Sequence, residues 1–344
     1  MKHLCIINPM AGRVAGHVNE LVEEIEDFFA RNSRMDYKIH VTRWKRDASG
    51  YVMRYVSNAR EMVRVYAIGG GGTLFEVING VMGLPNVQVA YYPMGNDDDF
   101  LTIFGKNARS EFTSMRNLSL SPVIPVDTIL AGNHYVASVI LIGLEAVSYL
   151  EGLKLSEKFR LPLGVGYLVS GFYYSMIKSL LKSYRIEMEG FELENEYTGI
   201  FIGNISSHGA GYPAPEASFN DGYMDVYTLK PVPKSKVLAI LKDYQSGHYN
   251  KWPGYITHYR CKKLRITSLT DMTVALDGEI FFDNELKLEI CPSSLNLVCP
   301  WDMAEPFYNQ NATEGKKQAD KASVELGQTQ EVKLSDLFVD GDGF

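Results

Sequence analysis

The sequence predicts an α/β chain in two parts, a doubly wound N-terminal domain on a parallel sheet followed by a mainly β, sandwich-like C-terminal domain. Three observations carry this. Apolar strand-like runs alternate with helix-like segments from His3 to Pro93. From Val123 onward the pattern changes to short apolar runs joined by tight turns. The chain has 344 residues, 46% hydrophobic and 22% charged, which suits two folded domains rather than a disordered chain.

In chain order, His3 to Asn8 is a short apolar run and reads as the first strand. Val18, Leu21, Val22, Ile25, Phe28 and Phe29 recur at i, i+3, i+4 spacing, which places them on one face of an amphipathic helix. Tyr37 to Thr42 is a second strand, and Tyr51, Val52, Tyr55 and Val56 mark a second helix. Val63 to Ile68, Thr73 to Val81 and Val87 to Pro93 continue the alternation as strand, helix and strand. Ligands of such sheets bind beyond the carboxyl ends of the strands. Past Val123, the runs Val126 to Leu130 and His134 to Ile142 flank Gly132 and Asn133 and read as a hairpin. Thr198 to Ile202, Met224 to Leu229, Leu264 to Thr267, Met272 to Leu276 and Leu286 to Ile290 read as further strands, with helical stretches near Leu150 to Leu181 and Lys234 to Tyr244. The predicted domains are 1–122, completed by about 291–308, and 123–290, with 309–344 a polar tail that the composition marks as disordered.

The formal net charge of −7 disfavours a nucleic-acid binder, which needs a basic face to displace phosphate counterions. The basic stretches Trp44 to Arg46 and Arg260 to Arg265 read as solvated loop and strand-edge charge. Cys5, Cys261, Cys291 and Cys299 show neither CxxC nor zinc spacing, and the N-terminus lacks a signal-peptide pattern, so reduced thiols in a cytoplasmic protein are expected. Leu161 to Leu181 is interrupted by Ser170, Ser175, Lys178 and Ser179, which points to a buried or interfacial helix rather than a membrane span.

Two loops carry the chemistry. In the first, the strand Val65 to Ile68 runs through Gly69, Gly70, Gly71 and Gly72 into the helix beginning Thr73-Leu74-Phe75. Such a loop lets backbone N–H groups and a helix N-terminus approach a phosphate. Its glycines equally suit a tight turn, with Thr73 and Glu76 as a capping box. The second loop, Gly95-Asn96-Asp97-Asp98-Asp99, gathers three adjacent carboxylates after the next strand, an oxygen-rich set suited to magnesium or to a solvent-facing turn. Ser218 to Asp225 and Asp277-Gly278-Glu279 add Asp-Gly turns.

Taken in order, these residues resemble the diacylglycerol kinase catalytic-domain family, which includes bacterial lipid kinases and the related sphingosine and ceramide kinases. The series runs through Asn8, Pro9, Ala11 and Gly12; Thr42, Asp47 and Ala48; Gly69 to Gly80; Pro93 to Phe100; Asp127; Gly203-Asn204; the stretch 209–217; Asp221-Gly222; and Asp277 to Glu279. The resemblance implies an ATP- and Mg2+-dependent kinase of lipid metabolism, peripheral to the cytoplasmic membrane surface, acting on a lipid with a free hydroxyl and able to form a homodimer. It implies nucleotide binding by Asn8, Thr42, Gly69 to Phe75 and Asn96, and a proton-accepting Glu279 beside Asp277. It also implies metal ligation by Asp99 and Asp127, joined by Asp97 and Asp98, and at a structural site by Ser218, Asp221 and Tyr223, with the acyl chains in an apolar cavity of the β domain.

This chain departs from the family pattern at Gly71, where the GGDGT motif has an aspartate, and at Asn96, Asp97 and Asp98 in the GTxNDF segment. A positioned acid or base contributes about 10²–10⁴ in rate. The departure therefore leaves two readings open, an enzyme whose extra acids restore the missing carboxylate, or a catalytically silent nucleotide- and lipid-binding regulator. A kinase of a soluble substrate such as NAD is a third, opposed by the Asp277 to Glu279 turn and the long β half.

Overall fold

The computed structural model describes residues 1–32, 35–95, 99–105, 107–177, 180–207 and 213–304. The expectations for Asn96, Asp97, Asp98 and 309–344 lie outside them, as do the side chain of Asp99 and residues 209–212.

The N-terminal sheet is parallel. β1 (Lys2–Ile7) lies between β2 (Asp36–Val41) and β3 (Val63–Gly69), and β4 (Val87–Pro93) pairs with β3. Every residue of β3 is buried, as expected for a central strand covered on both faces. Between the strands run α1 (Val18–Arg31), α2 (Asp47–Ser57) and α3 (Gly71–Val81), and α1 buries Leu21, Ile25 and Phe29 along one stripe. α3 packs so closely on α2 that a Cβ at Gly80 would lie 2.7 Å from the Ser49 carbonyl oxygen. The short helices α4 (Ala108–Phe112) and α5 (Met115–Leu120) lead out of this half.

The C-terminal half is antiparallel. β5 (Val123–Ala131) turns at Gly132 (φ +58°) into β6 (His134–Val136), the expected hairpin. The second arm is shorter than expected, because the backbone N–H groups of Ala137, Ser138 and Val139 turn to the Asp277 carboxylate before β7 (Val139–Gly143) begins. α6 (Leu144–Phe159) and α7 (Leu163–Met176) follow, then β8 (Lys182–Met188), β9 (Phe191–Tyr197), β10 (Gly199–Gly203), β11 (Met224–Leu229), α8 (Val237–Tyr244) and β12 (Ile256–Cys261). The two runs expected at 264–267 and 272–276 are one strand, β13 (Lys263–Leu276). Its first part pairs with β8 and its last with β7, and the irregularity falls where it changes partner.

β14 (Glu279–Val298) ties the halves together. It pairs with β13, then with β5, and at Leu297 with Val89 of β4. Leu295, Leu297, Val298, Cys299 and Ala304 lie in the N-terminal core, so the chain returns to its first half at the end. Among the described residues, no helix is long and apolar enough to cross a membrane.

Candidate functional site

The glycine loop leaves β3 at its carboxyl end and enters α3. Gly69 has no room for a side chain, since a Cβ would lie 2.3 Å from the Thr73 hydroxyl oxygen. Thr73 is buried and its Oγ1 accepts a hydrogen bond from Asn8 Nδ2 at 3.0 Å, which locks the end of β1 to the first turn of α3. The expected capping box does not form. Gly70 is the N-cap and makes no side-chain cap, while the Glu76 carboxylate accepts the backbone N–H groups of Arg46 (2.8 Å) and Ala48 (3.2 Å). Burial pushes the Glu76 carboxyl above its ordinary range.

Leu74 is buried in the N-terminal core and Phe75 in the C-terminal one, so at these two positions only the backbone is available to a phosphate. Asn79, two turns into α3, crosses to β6. It donates to the Phe75 and Tyr135 carbonyls and accepts the Tyr135 N–H at 2.8 Å. The helix that follows the glycine loop is thereby fixed to the β half.

From the β half comes the turn Asp277-Gly278-Glu279. Asp277 has φ +46° and Gly278 φ +89°. The Asp277 carboxylate accepts the N–H groups of Ala137 (2.7 Å), Ser138 (2.9 Å) and Val139 (3.0 Å), and burial raises its proton affinity against these bonds. The turn delivers Glu279 onto the glycine loop. A Cβ at Gly72 would lie 3.3 Å from Glu279 Oε1, and Glu279 Oε2 is 2.5 Å from Lys45 Nζ. A carboxylate of one half thus faces the glycine loop of the other.

Family models match both halves: "Diacylglycerol kinase catalytic domain" over residues 2–131 and "YegS C-terminal NAD kinase beta sandwich-like domain" over residues 168–299. Between them they span most of the chain. Residues 2–131 thus match the diacylglycerol kinase catalytic-domain family. By family the chain is a kinase. It is 26% identical over 280 residues to "Probable lipid kinase YegS-like" of Alcanivorax borkumensis, covering 78% of this chain and 89% of the relative. It is 25% identical over 254 residues to "Putative lipid kinase" of Staphylococcus aureus strain Mu3, covering 71% and 80%. A solved structure, "Crystal structure of a putative diacylglycerol kinase from Bacillus anthracis str. Sterne", has the same fold, with TM-score 0.69 at 24% identity over 88% of this chain and 98% of that one.

The other residues implied by the diacylglycerol kinase resemblance fall at the β5–β11 junction and the β2 end. Asp127 is buried, and its oxygens accept the N–H groups of Gly222 and Ser293, each at 2.7 Å. Asp221 accepts the Tyr223 N–H at 3.0 Å and takes the Arg260 guanidinium at 2.5 Å. Burial raises both carboxyls despite these donors. Ser218 Oγ bonds Asn220, and the Tyr223 ring stacks under Arg260 at 4.5 Å. Thr42 N–H donates to the Ile7 carbonyl. Among the described residues, no three His, Cys, Asp or Glu side chains converge to hold a metal ion. Both oxygens of Asp127 and of Asp221 take protein donors, the Arg260 guanidinium among them at the latter.

Sequence reasoning missed Lys45, read only as part of a basic loop, and Asn79, read only as a motif letter. It also missed Arg260 as the partner of Asp221. All three act across long sequence separations, so no local pattern marks them.

Proposed function

We propose that this kinase transfers the γ-phosphoryl group of ATP to the free hydroxyl of diacylglycerol or a related lipid. The observation that carries it is the Glu279 carboxylate seated against Gly72 of the glycine loop. The lipid oxygen forms the new P–O bond as the bond from the γ-phosphorus to the β–γ bridging oxygen breaks, and ADP leaves. The hydroxyl proton passes to Glu279, the general base. Phosphoryl transfer depends on alignment and charge more than on covalent catalysis. The backbone of Gly70 to Thr73, at the N-terminus of α3, supplies the phosphate seat. Magnesium enters this reading as the counter-ion of the nucleotide. Asp277 holds the turn that presents the base, and Asp127 holds the loops around Gly222 and Ser293.

The acyl chains have a fitting recess. A cavity of about 320 Å3 lies between α6, α7, α8 and the sheet, lined by Leu144, Tyr174, Ile177, Leu229, Val237 and Ile240 among others. α6 reaches from this cavity to the site, since the Tyr149 hydroxyl is 2.7 Å from where a Cβ at Gly278 would be. Beside the cavity, Val165, Val169 and Tyr173 follow one another at i, i+4 spacing along α7, with Leu161 and Ile177 flanking its two ends, and the five are 40–68% exposed. Lys154, Lys158 and Arg160 lie just before them in sequence. Such a stripe suits transient contact with a lipid surface. Val169→Glu with Ile177→Glu should then abolish sedimentation with anionic vesicles, and undiminished sedimentation refutes this contact.

Labelled ATP and magnesium with diacylglycerol, monoacylglycerol, ceramide and sphingosine test the function, and label in the lipid phase is the expected result. The second reading, a silent regulator, is favoured by Gly71 alone, and nucleotide binding without transfer to any of these lipids would establish it in place of the first.

A further inference from the structure

The segment between β2 and α2, residues 42–46, is held more tightly than a solvated basic loop requires. The buried carboxylate of Asp47 takes the Arg43 N–H at 3.0 Å and the His40 ring at 3.0 Å. Glu76 reaches out of α3 to take the N–H groups of Arg46 and Ala48. Between these anchors Arg46 adopts φ +70°, a left-handed conformation that costs free energy in a residue with a Cβ. Strain of this kind persists only where the surroundings over-determine it, and here four hydrogen bonds accepted by two carboxylates do so.

The product of this clamp is the position of Lys45. Its ammonium lies 2.5 Å from Glu279 Oε2, while Oε1 of the same carboxylate faces Gly72. Lys45 is 68% exposed, and an exposed ion pair contributes little to stability, so stability does not account for a strained loop built to form it. Its neighbours point to other work. Arg43 lies over the Trp44 ring at 5.6 Å. On the α3 side, Gly71 leaves open space, and a Cβ added there would have nothing within 4 Å. The first turn of α3, a carboxylate and an exposed primary ammonium therefore border one opening. A lysine ammonium is a compact charge with three donors, suited to a terminal phosphate oxygen.

We propose that Lys45 binds the γ-phosphate of the nucleotide. In the empty site it pairs with Glu279. With the triphosphate bound it moves to a γ-phosphate oxygen, and this frees Glu279 to accept the lipid proton. Lys45 thereby couples arrival of the phosphoryl donor to release of the base. The inference rests on the nucleotide-binding reading above.

Calorimetry of the full chain with ADP and with the non-hydrolysable β,γ-imido analogue of ATP, both with magnesium, separates the two. The unaltered protein should prefer the triphosphate. Lys45→Ala should weaken triphosphate binding about tenfold or more, as for loss of a charged hydrogen bond, and leave ADP within about twofold. Lys45→Arg should recover part of the loss. Glu279→Gln should tighten triphosphate binding, because it removes the competing partner, and this gain should vanish when Lys45→Ala is added. A triphosphate preference unchanged in Lys45→Ala overturns the inference while nucleotide binding stands. Absence of any nucleotide binding by the unaltered protein overturns both.

Discussion

Replacing Asp277 tests how the base is presented. Its carboxylate accepts three backbone N–H groups, Ser138 and Val139 on Oδ1 and Ala137 on Oδ2, from a segment that leaves the hairpin to reach it. Asp277→Ala leaves those donors without their acceptor in a buried site. At about 1–3 kcal/mol for an unsatisfied buried donor, and allowing for partial relaxation, the loss is about 3–6 kcal/mol. Asn also tolerates the φ of +46° found here. Asp277→Asn can keep the two bonds on Oδ1 and turn an amide donor towards Ala137, for a loss of about 1–3 kcal/mol. Chemical denaturation read by tryptophan fluorescence measures both losses, and lipid phosphorylation is measured in the same preparations. The expected result is a graded loss of stability, Ala greater than Asn, with activity falling in the same order as the turn loosens. An Asp277→Ala protein as stable as the parent, but inactive, would refute the anchoring role and make Asp277 a participant in the chemistry.

Glu145 is buried among Tyr167 and Tyr244 at the apolar cavity, and burial raises its carboxyl to about 7 from an ordinary 4.5. Between those values the folded protein holds a proton that the unfolded chain has lost. Stability from this group is therefore full below pH 4.5 and falls as pH rises to 7, by on the order of 3 kcal/mol. Glu145→Gln should flatten the melting-temperature decline over that window, and a decline as steep as the parent's contradicts this. Gly71→Asp should fold normally, since nothing stands within 4 Å of a Cβ there. It should not raise lipid phosphorylation if Asp97 and Asp98 already supply the missing carboxylate. A large gain in activity assays would show a kinase silenced at position 71.

The N-terminal half was legible because β3 and β4 are central strands covered on both faces and read as unbroken apolar runs between amphipathic helices. The hairpin β8–β9 was not legible. Its outer arm alternates Phe191, Leu193 and Tyr197 with Glu192, Glu194 and Glu196, but Asn195 interrupts the apolar face and glutamate is uncommon in strands, so the run lacks the β-branched and apolar density that marks one. Ser268, Thr270 and Asp271 likewise divide β13 in the sequence pattern, where the strand only changes partners. At the site, the glycines and the Asp-Gly-Glu turn were visible as local motifs. What they face was not, because Glu279 over Gly72, Lys45 on Glu279 and Asn79 on Tyr135 are contacts between halves of the fold. The capping box failed because Glu76 instead takes partners 28 and 30 residues away in the Arg46 loop, a contact within the N-terminal half that no local pattern marks.

The central claim, that Glu279 is the base of a lipid kinase, is tested most directly by Glu279→Gln in a steady-state assay with labelled ATP and the best lipid of the panel. Gln keeps the size of the side chain and removes its capacity to accept the proton. Lipid phosphorylation should fall about a hundredfold or more, with ADP affinity nearly unchanged. Turnover equal to that of the unaltered protein would contradict the account.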